Sequence, residues 1–479
     1  MRVISLVLIP FFAVFSTIRS GYCADAHKSL PSKKLPNIVL IFLDDVGYAD
    51  FGVFGARGYS TPNIDKLAHN GMKFTDFHAA QGVCSASRAG LLTGCYPNRV
   101  GVTGALMPWS KTGLNPAEET IAELLKSVGY STGCVGKWHL GHEKKFLPLQ
   151  QGFDEYLGLP YSNDMWPVDY DGNPIKNGRM KRYPQLPLIE GNEKIAEIRT
   201  LKDQATLTTR YTEWALSFIE RHKSKPFFLY MPHSMAHIPL AVSDKFKGKT
   251  KRGLYGDVMM EIDWSVGQVV SKLKQCGLLD NTLIILTSDN GPWLCFGNHA
   301  GSAWPLREGK GTMWEGGCRE PCIMSWPGHI PKDSVCRKLA STIDILPTLC
   351  AITGARLPKR KIDGVNILNL MLGRKDAEPR GQFVYYYGNE LQAMRVGPWK
   401  LNFPHKYRSV VGMRPGENGH SGHYTKARTG WELYNLQSDI SEVRNVADLY
   451  PEKVRQLREL GKKELVELNA NKRNPGKVE

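Results

Sequence analysis

Two apolar runs end in oxygen-bearing side chains. NIVLIFL (Asn37–Leu43) is followed by Asp44 and Asp45, and TLIILTS (Thr282–Ser288) by Asp289 and Asn290. Unbroken apolar runs of this length read as parallel strands buried on both faces. In an open parallel sheet the ligand crevice lies at the carboxyl ends of the strands, so these four side chains are expected to converge there. One Asp after a strand is commonly only a cap for the next turn. Three carboxylates at one point repel each other, however, and a hard divalent cation relieves that repulsion. No histidine lies close to them in sequence, so Ca²⁺ or Mg²⁺ is preferred over Zn²⁺.

A nucleophile candidate comes from AAQGVCSASRAGLLTG (residues 79–94), where a loop turns into a helix near Cys84. Arg88 follows four residues on, on the same helical face. A thiol at a helix N-terminus beside a guanidinium is expected to have a lowered pKa, in a place that also binds anions.

The elements that must carry these residues alternate along the chain. Residues 61–71 have a Thr cap, an early Pro and a final Gly, and residues 118–129 are amphipathic and also stop at Gly; both read as helices. Helices are further expected over 208–222 and 255–276, with strands at YSTGCVG (residues 130–136) and PFFLYM (residues 226–231). Such alternation predicts a doubly wound, mostly parallel α/β sheet. After Arg374 the pattern changes to short aromatic strands (FVYYYG, AMRVG, KLNF, WELYNL) and a charged helix over 451–469, which predicts a smaller antiparallel α+β domain. The expected division is therefore a leader at 1–26, the α/β domain at 27–374 and the C-terminal domain at 375–479. Two irregular stretches, 160–200 and 405–429, read as long surface loops.

The 479 residues, 42% of them apolar, exclude wholesale disorder, and ten cysteines are too few for a disulfide mini-protein. The net charge of 62 − 46 = +16 suits a polyanionic partner without separating nucleic acid from sulfated or phosphorylated glycan. Met1-Arg2, the apolar stretch from Val3 to Phe15 and Ala24-Asp25-Ala26 form an export signal with a cleavage site, too short to span a membrane. No other run has spanning length. Beyond Cys23 the nine cysteines leave at least one unpaired, and there is no Asn-x-Ser/Thr acceptor. These features favour a bacterial periplasmic or extracellular protein.

CSASRAGLLTG resembles the sulfatase signature C-x-P-S-R-x-x-x-L-T-G, and GYSTGCVGKWHLG (residues 129–141) resembles the second signature of that family. DDVGYADFG, TPNIDKLA, SDNGP, GKGTMWEGGCREP and WPGHIP follow in the family's order, and the resemblance runs from about Pro36 to WELYNLQSD. It is strongest to the arylsulfatase A and N-acetylgalactosamine-6-sulfatase branch. The resemblance implies an alkaline-phosphatase-like fold and hydrolysis of sulfate monoesters, with sulfated carbohydrates or aryl sulfates as substrates and no nucleic acid partner. It further implies that a formylglycine-generating or anaerobic sulfatase-maturing enzyme oxidises Cys84 to formylglycine. One hydroxyl of the hydrated aldehyde would attack sulfur, and the other would allow sulfate to leave. By the same resemblance, Asp44, Asp45, Asp289, Asn290 and the modified Cys84 ligate Ca²⁺. Arg88 assists them, Lys137 and Lys310 clamp sulfate, and His139 is the base for the second hydroxyl. His237 is the general acid, with His233 its rival. His69, His78, His142, His222 and His299 are left as structural. Ala86 stands where the signature has Pro, a change that bears on how efficiently Cys84 is converted.

Two alternatives stay open at this point: a phosphate mono- or diester hydrolase of the same superfamily, and a non-catalytic binder of sulfated glycan. The substrate-facing segments are expected at 103–115, 160–200 and 405–429, where Trp109, Trp166, Tyr170 and Tyr407 could stack on sugar rings. Arg179, Lys181 and Arg182 could meet a polyanionic chain.

Overall fold

The strand Asn37–Leu43 is buried along its whole length and pairs in parallel with Phe227–Pro232 on one side and Thr282–Ser288 on the other. Its lack of polar alternation has a direct cause. Val39, Ile41 and Leu43 enter one hydrophobic layer with the helices Leu207–His222 and Leu254–Gln275, while Ile38, Leu40 and Phe42 enter a second layer on the opposite face. That second layer takes Leu91 and Leu92 of the helix Cys84–Thr93, and Leu346 and Leu349 of Ile345–Thr353. Helices on both faces make the sheet doubly wound, as expected. The structure, a computed structural model, describes residues 34–478; the leader at 1–26 lies outside the described residues.

The parallel centre runs Thr282–Ser288, Asn37–Leu43, Phe227–Pro232, Ser131–Lys137, Glu155–Leu159. Arg319–Ser325 joins one side antiparallel, followed by Met72–His78 and Ser334–Cys336. The other side corrects an expectation. Residues 160–200 are not wholly a loop, because Leu186–Glu190 and Glu193–Ile198 form a hairpin that extends the sheet. Leu186, Leu188 and Ile198 plug into the core, and the two-residue turn Gly191-Asn192 closes the hairpin with Gly191 at φ 60°. Residues 405–429 likewise contain a hairpin, His405–Ser409 paired with Thr425–Thr429.

Helix ends follow local chemistry. Ile121–Lys126 starts later than expected because Thr120 caps it, accepting from the Glu123 amide while the Glu123 carboxylate accepts from the Thr120 amide. Thr61 precedes the helix Pro62–His69 but does not cap it; its hydroxyl accepts from the Gly52 amide at 2.8 Å and donates to Asp65 at 3.1 Å.

The C-terminal part forms the expected antiparallel sheet, Gln382–Tyr387, Glu390–Val396, Trp399–Asn402, Glu432–Asn435, with the helix Pro451–Asn471 packed on it. A buried charge network fastens it to the main sheet. Arg395 grips both oxygens of Asp76 at 2.8 and 2.6 Å, and Lys400 bridges Glu315 at 3.0 Å and Glu442 at 2.8 Å. His78 Nε2 meets Glu315 at 3.0 Å, and Arg319 lies 3.3 Å from the same carboxylate. Three carboxylates here meet three cationic side chains, so their charge is balanced without an ion. All nine described cysteines are free thiols, and among the described residues no helix is long and apolar enough to cross a membrane.

Candidate active site

The sheet register places the strand-end acids side by side. Leu43 is paired with Ser288, so Asp44-Asp45 and Asp289-Asn290 emerge together; the Asp289 amide donates to the Leu43 carbonyl at 3.0 Å and the Asp45 amide to Asp289 Oδ1 at 3.2 Å. Asp45 adopts φ 59°, in the left-handed region, as does His139. Such a conformation costs about 1 kcal/mol for a non-glycine residue and is tolerated where the surroundings fix it. Lys137 closes the neighbouring strand Ser131–Lys137. The preceding Gly136 (φ 130°) lies against the Pro232 carbonyl, where any Cβ would collide.

Every residue expected at the centre is buried there. Arg88, on the helix Cys84–Thr93, holds Asp289 Oδ2 through Nη2 at 2.7 Å and Nε at 3.1 Å, reaches Asp44 at 3.4 Å, and donates Nη1 to the Lys137 carbonyl at 2.9 Å. Lys137 Nζ donates to Asp44 and to Ser162 Oγ, the latter at 3.1 Å. Lys310 Nζ spans both oxygens of Asp45 at 2.6 and 2.8 Å. Asn290 donates Nδ2 to Asp45 at 2.7 Å and to the Gly291 carbonyl at 2.9 Å, while its buried Oδ1 has no partner. His237 Nε2 lies 3.6 Å from Asp45, and Cys84 Sγ 3.7 Å from Asp44.

These groups fit a hard divalent cation. Asp44, Asp45, Cys84 and His237 offer ligating atoms within 4.8 Å of one another. The orphaned Asn290 oxygen is a neutral donor awaiting a partner. Burial alone would push Asp44 up, but Lys137 and Arg88 hold it well below the usual carboxylate range. Asp289 goes the other way, up to about 7, because burial and repulsion by Asp44 outweigh Arg88. Asp45 is raised too, chiefly by burial, so the ammonium and guanidinium groups leave two of the three carboxylates poorly compensated, and an oxygen-seeking cation would supply the missing charge.

One expectation fails. The Cys84 thiol is pushed up to about 12 by burial; Lys137 and Lys310 pull it down by more than Asp44 and Asp289 push it up, but not by enough to offset the lost solvation. The helix N-terminus and Arg88 do not acidify it, since the guanidinium is committed to Asp289. As a thiol, Cys84 is inert here.

The two histidine rivals separate cleanly. His237 joins the cluster and packs against the Trp293 ring at 5.4 Å. His233 meets Ser265 at 3.5 Å and the Tyr211 ring, and burial alone shifts it, to about 4. His139 donates toward the Leu106 carbonyl at 2.9 Å through Nε2, leaving Nδ1 buried without a partner. His69, His142 and His222 pair with Asp333, Glu143 and Glu155 away from the cluster.

Two neighbours carried no expectation. Ser162 steadies Lys137, and no sequence signal marks it within its loop. Trp293, two residues past SDNG, lies with its ring 4.5 Å from Lys310 Nζ. Among the proposed sugar-stacking residues, Trp166 is excluded because it is 1% exposed within the core. Trp109 is 48% exposed and stacked on Tyr183. Tyr170 packs on Phe296, and Tyr407 on Trp314. Lys181 and Arg182 are exposed on the short turn Arg179–Arg182.

Comparison with known proteins agrees with this fold. Human arylsulfatase A is 38% identical over 444 residues, covering 89% of this chain and 87% of that protein. Pig N-acetylgalactosamine-6-sulfatase is 39% identical over 408 residues, covering 80% and 76%. The crystal structure of the PsFucS1 sulfatase from Pseudoalteromonas sp. superimposes with a TM-score of 0.82 at 29% identity, covering 92% of both chains. The C-terminal family of N-sulphoglucosamine sulphohydrolase matches residues 308–471, and the sulfatase family matches residues 36–355. With acids, lysines and Cys84 gathered at the rim of that matched sheet, the chain belongs to the sulfatase family and is a sulfuric ester hydrolase.

Proposed function

We propose that this enzyme releases inorganic sulfate from sulfated polysaccharides or oligosaccharides, N-acetylgalactosamine-6-sulfate-type sugars among them, at a centre built on Cys84 oxidised to formylglycine. The observation that carries this reading is one buried cluster in which Cys84, three carboxylates, an unpartnered amide oxygen and two lysines face each other. Asp44, Asp45, Asp289 and Asn290 would hold Ca²⁺ beside position 84. When both groups are in place they supply a hydrate hydroxyl as nucleophile and a Lewis acid that orients it.

The chain's own residues do the rest. Lys137 and Lys310 put two ammonium groups where a sulfate's non-bridging oxygens gather charge. Ser162 fixes the first lysine, and the Trp293 face lies beside the second. The Ile238 carbonyl can only accept, at 2.6 Å, so His237 carries a proton on Nδ1 and presents Nε2 to the cluster. Burial, Lys310 and Lys137 depress its pKa to about 3. An anionic ester between the same lysines reverses that bias, and His237 then protonates the departing alcohol. His139, neutral through burial and Lys137, keeps Nδ1 free to accept a proton. Export, with the leader at 1–26 removed, the division at 374 and a dedicated maturation enzyme belong to the same reading.

Leaving-group dependence tests it. His237→Asn is expected to slow sulfated sugars, whose alcohols are poor leaving groups, by about 10²–10⁴-fold in kcat, and aryl sulfates far less. The readout is sulfate release from a panel of both substrate classes. Equal losses on both would remove His237 as the acid, and wild-type turnover of aryl sulfates alone would remove the glycan assignment.

Metal removal gives a second prediction. Dialysis against a chelator is expected to abolish turnover and lower the thermal midpoint. Ca²⁺ should restore both, adding about 3 kcal/mol at a hundredfold excess over Kd. An unchanged midpoint on adding Ca²⁺ would contradict the ligand assignment.

A further inference from the structure

Next to the sulfate-clamping lysine lies a charged surface that the hydrolysis of a single ester does not use. In the hairpin His405–Ser409/Thr425–Thr429, Lys406 is paired with Arg428 and Arg408 with Lys426. Strand side chains two apart share a face, so these four cations form a square on one side of the ribbon. Like charges directly opposite in an antiparallel pair destabilise it. No compensating acid is present: among the described residues none of the four forms an ion pair with a carboxylate. The nearby acids are engaged elsewhere, Glu308 with Ser409 and the Val410 amide, Glu432 with Tyr434, and Glu390 with Gln392.

The square lines a cavity of about 540 Å³ that also touches Gly311, Tyr387 and Gln392 and has no carboxylate in its wall. It reaches the reacting centre through one residue. Arg408 donates Nη2 to the Lys310 carbonyl at 2.7 Å, while Lys310 Nζ holds Asp45. Gly311 (φ 80°) lies directly against the Arg408 guanidinium, which a Cβ there would displace, and Arg408 Nε is buried without a partner. A repulsive cation cluster, open to a cavity and tied to the clamp lysine, is the complement of a second anion on the same substrate.

We propose that Lys406, Arg408, Lys426 and Arg428 bind a second anionic group, a sulfate ester or a uronate carboxylate, on a sugar adjoining the one being desulfated. The preferred substrate is therefore a polyanionic oligosaccharide rather than a lone sugar sulfate. This deepens the reading of the site as a glycan sulfatase and rests on it.

The test is calorimetric binding of oligosaccharides to the wild type and to the double variant Lys426→Ser/Arg428→Ser, with aryl sulfate turnover measured alongside. Three ligands are used: one with several sulfates and no uronate, one with a single sulfate and uronates, and a desulfated neutral chain. The variant is expected to bind at least one anionic ligand about tenfold or more weakly, with a flatter salt dependence. The ligand affected names the group, and aryl sulfate kcat/KM should stay within about twofold. Lys426→Glu, which sets a carboxylate opposite Arg408, is expected to fold at least as well and bind more weakly still. Equal affinities of wild type and both variants for every anionic ligand would overturn the proposal, as would no wild-type preference for the charged chains over the neutral one. Binding is read without turnover, so failure of the chemistry at Cys84 shows only in the aryl sulfate assay.

Discussion

Replacing Cys84 by serine is expected to leave the fold intact and reduce steady-state sulfate release by about 10⁴-fold or more. The side chain is fully buried at the first position of its helix, and oxygen for sulfur changes its volume little, so the thermal midpoint should hold. Asp44, Asp45, Asp289 and Asn290 are untouched, so Ca²⁺ should still raise that midpoint. The loss is chemical. Serine offers one hydroxyl, which can form an ester but has no second hydroxyl with which to expel sulfate. Wild-type thiol is no better placed, because burial pushes it up to about 12. Steady-state turnover by Cys84→Ser near the wild-type rate would show that position 84 is not the reacting centre.

Arg88→Met should have the largest effect on stability. Arg88 is wholly buried and bonds Asp289 twice, Asp44 at longer range and the Lys137 carbonyl. Methionine fills similar space but leaves two buried carboxylates short of a partner, a change that costs about 3–5 kcal/mol. Denaturant unfolding in chelator is the measurement. Ca²⁺ should recover part of the loss, because the same carboxylates then meet a cation. Arg88→Lys restores charge without the planar fork and should fall between the two. A loss below about 1 kcal/mol for Arg88→Met would mean that the ion pairs drawn here do not carry the site.

Much of this centre was legible because chemistry and topology coincide. An apolar run buried on both faces, followed at once by acids, places those acids at the rim of a parallel sheet, and both Asp44-Asp45 and Asp289-Asn290 obeyed. Lys137 and Lys310 carry no such signal; a lysine after a strand is ordinarily solvated, and only the ordered motifs raised these two. Only the ordered motifs ranked His237 above His233, four residues apart in one segment; the structure gives them different neighbours, the acid cluster for His237 and Ser265 with Tyr211 for His233. The Cys84 expectation failed because a helix end and a nearby arginine are visible in sequence, whereas complete burial and the arginine's commitment to Asp289 are not. The hairpins within 160–200 and 405–429 were hidden by charged residues on their open faces. Glu193–Ile198 buries little beyond Ile198, and His405–Ser409 exposes Lys406, so neither presents an apolar run.

The catalytic chemistry depends on whether the working group at position 84 is an aldehyde beside a cation. Mass analysis of the peptide containing Cys84, across preparations from hosts that differ in maturation capacity, measures that most directly. Specific activity is expected to rise in proportion to the aldehyde fraction, extrapolating to zero where only thiol is present. Full activity in a preparation whose position 84 is entirely thiol would contradict it.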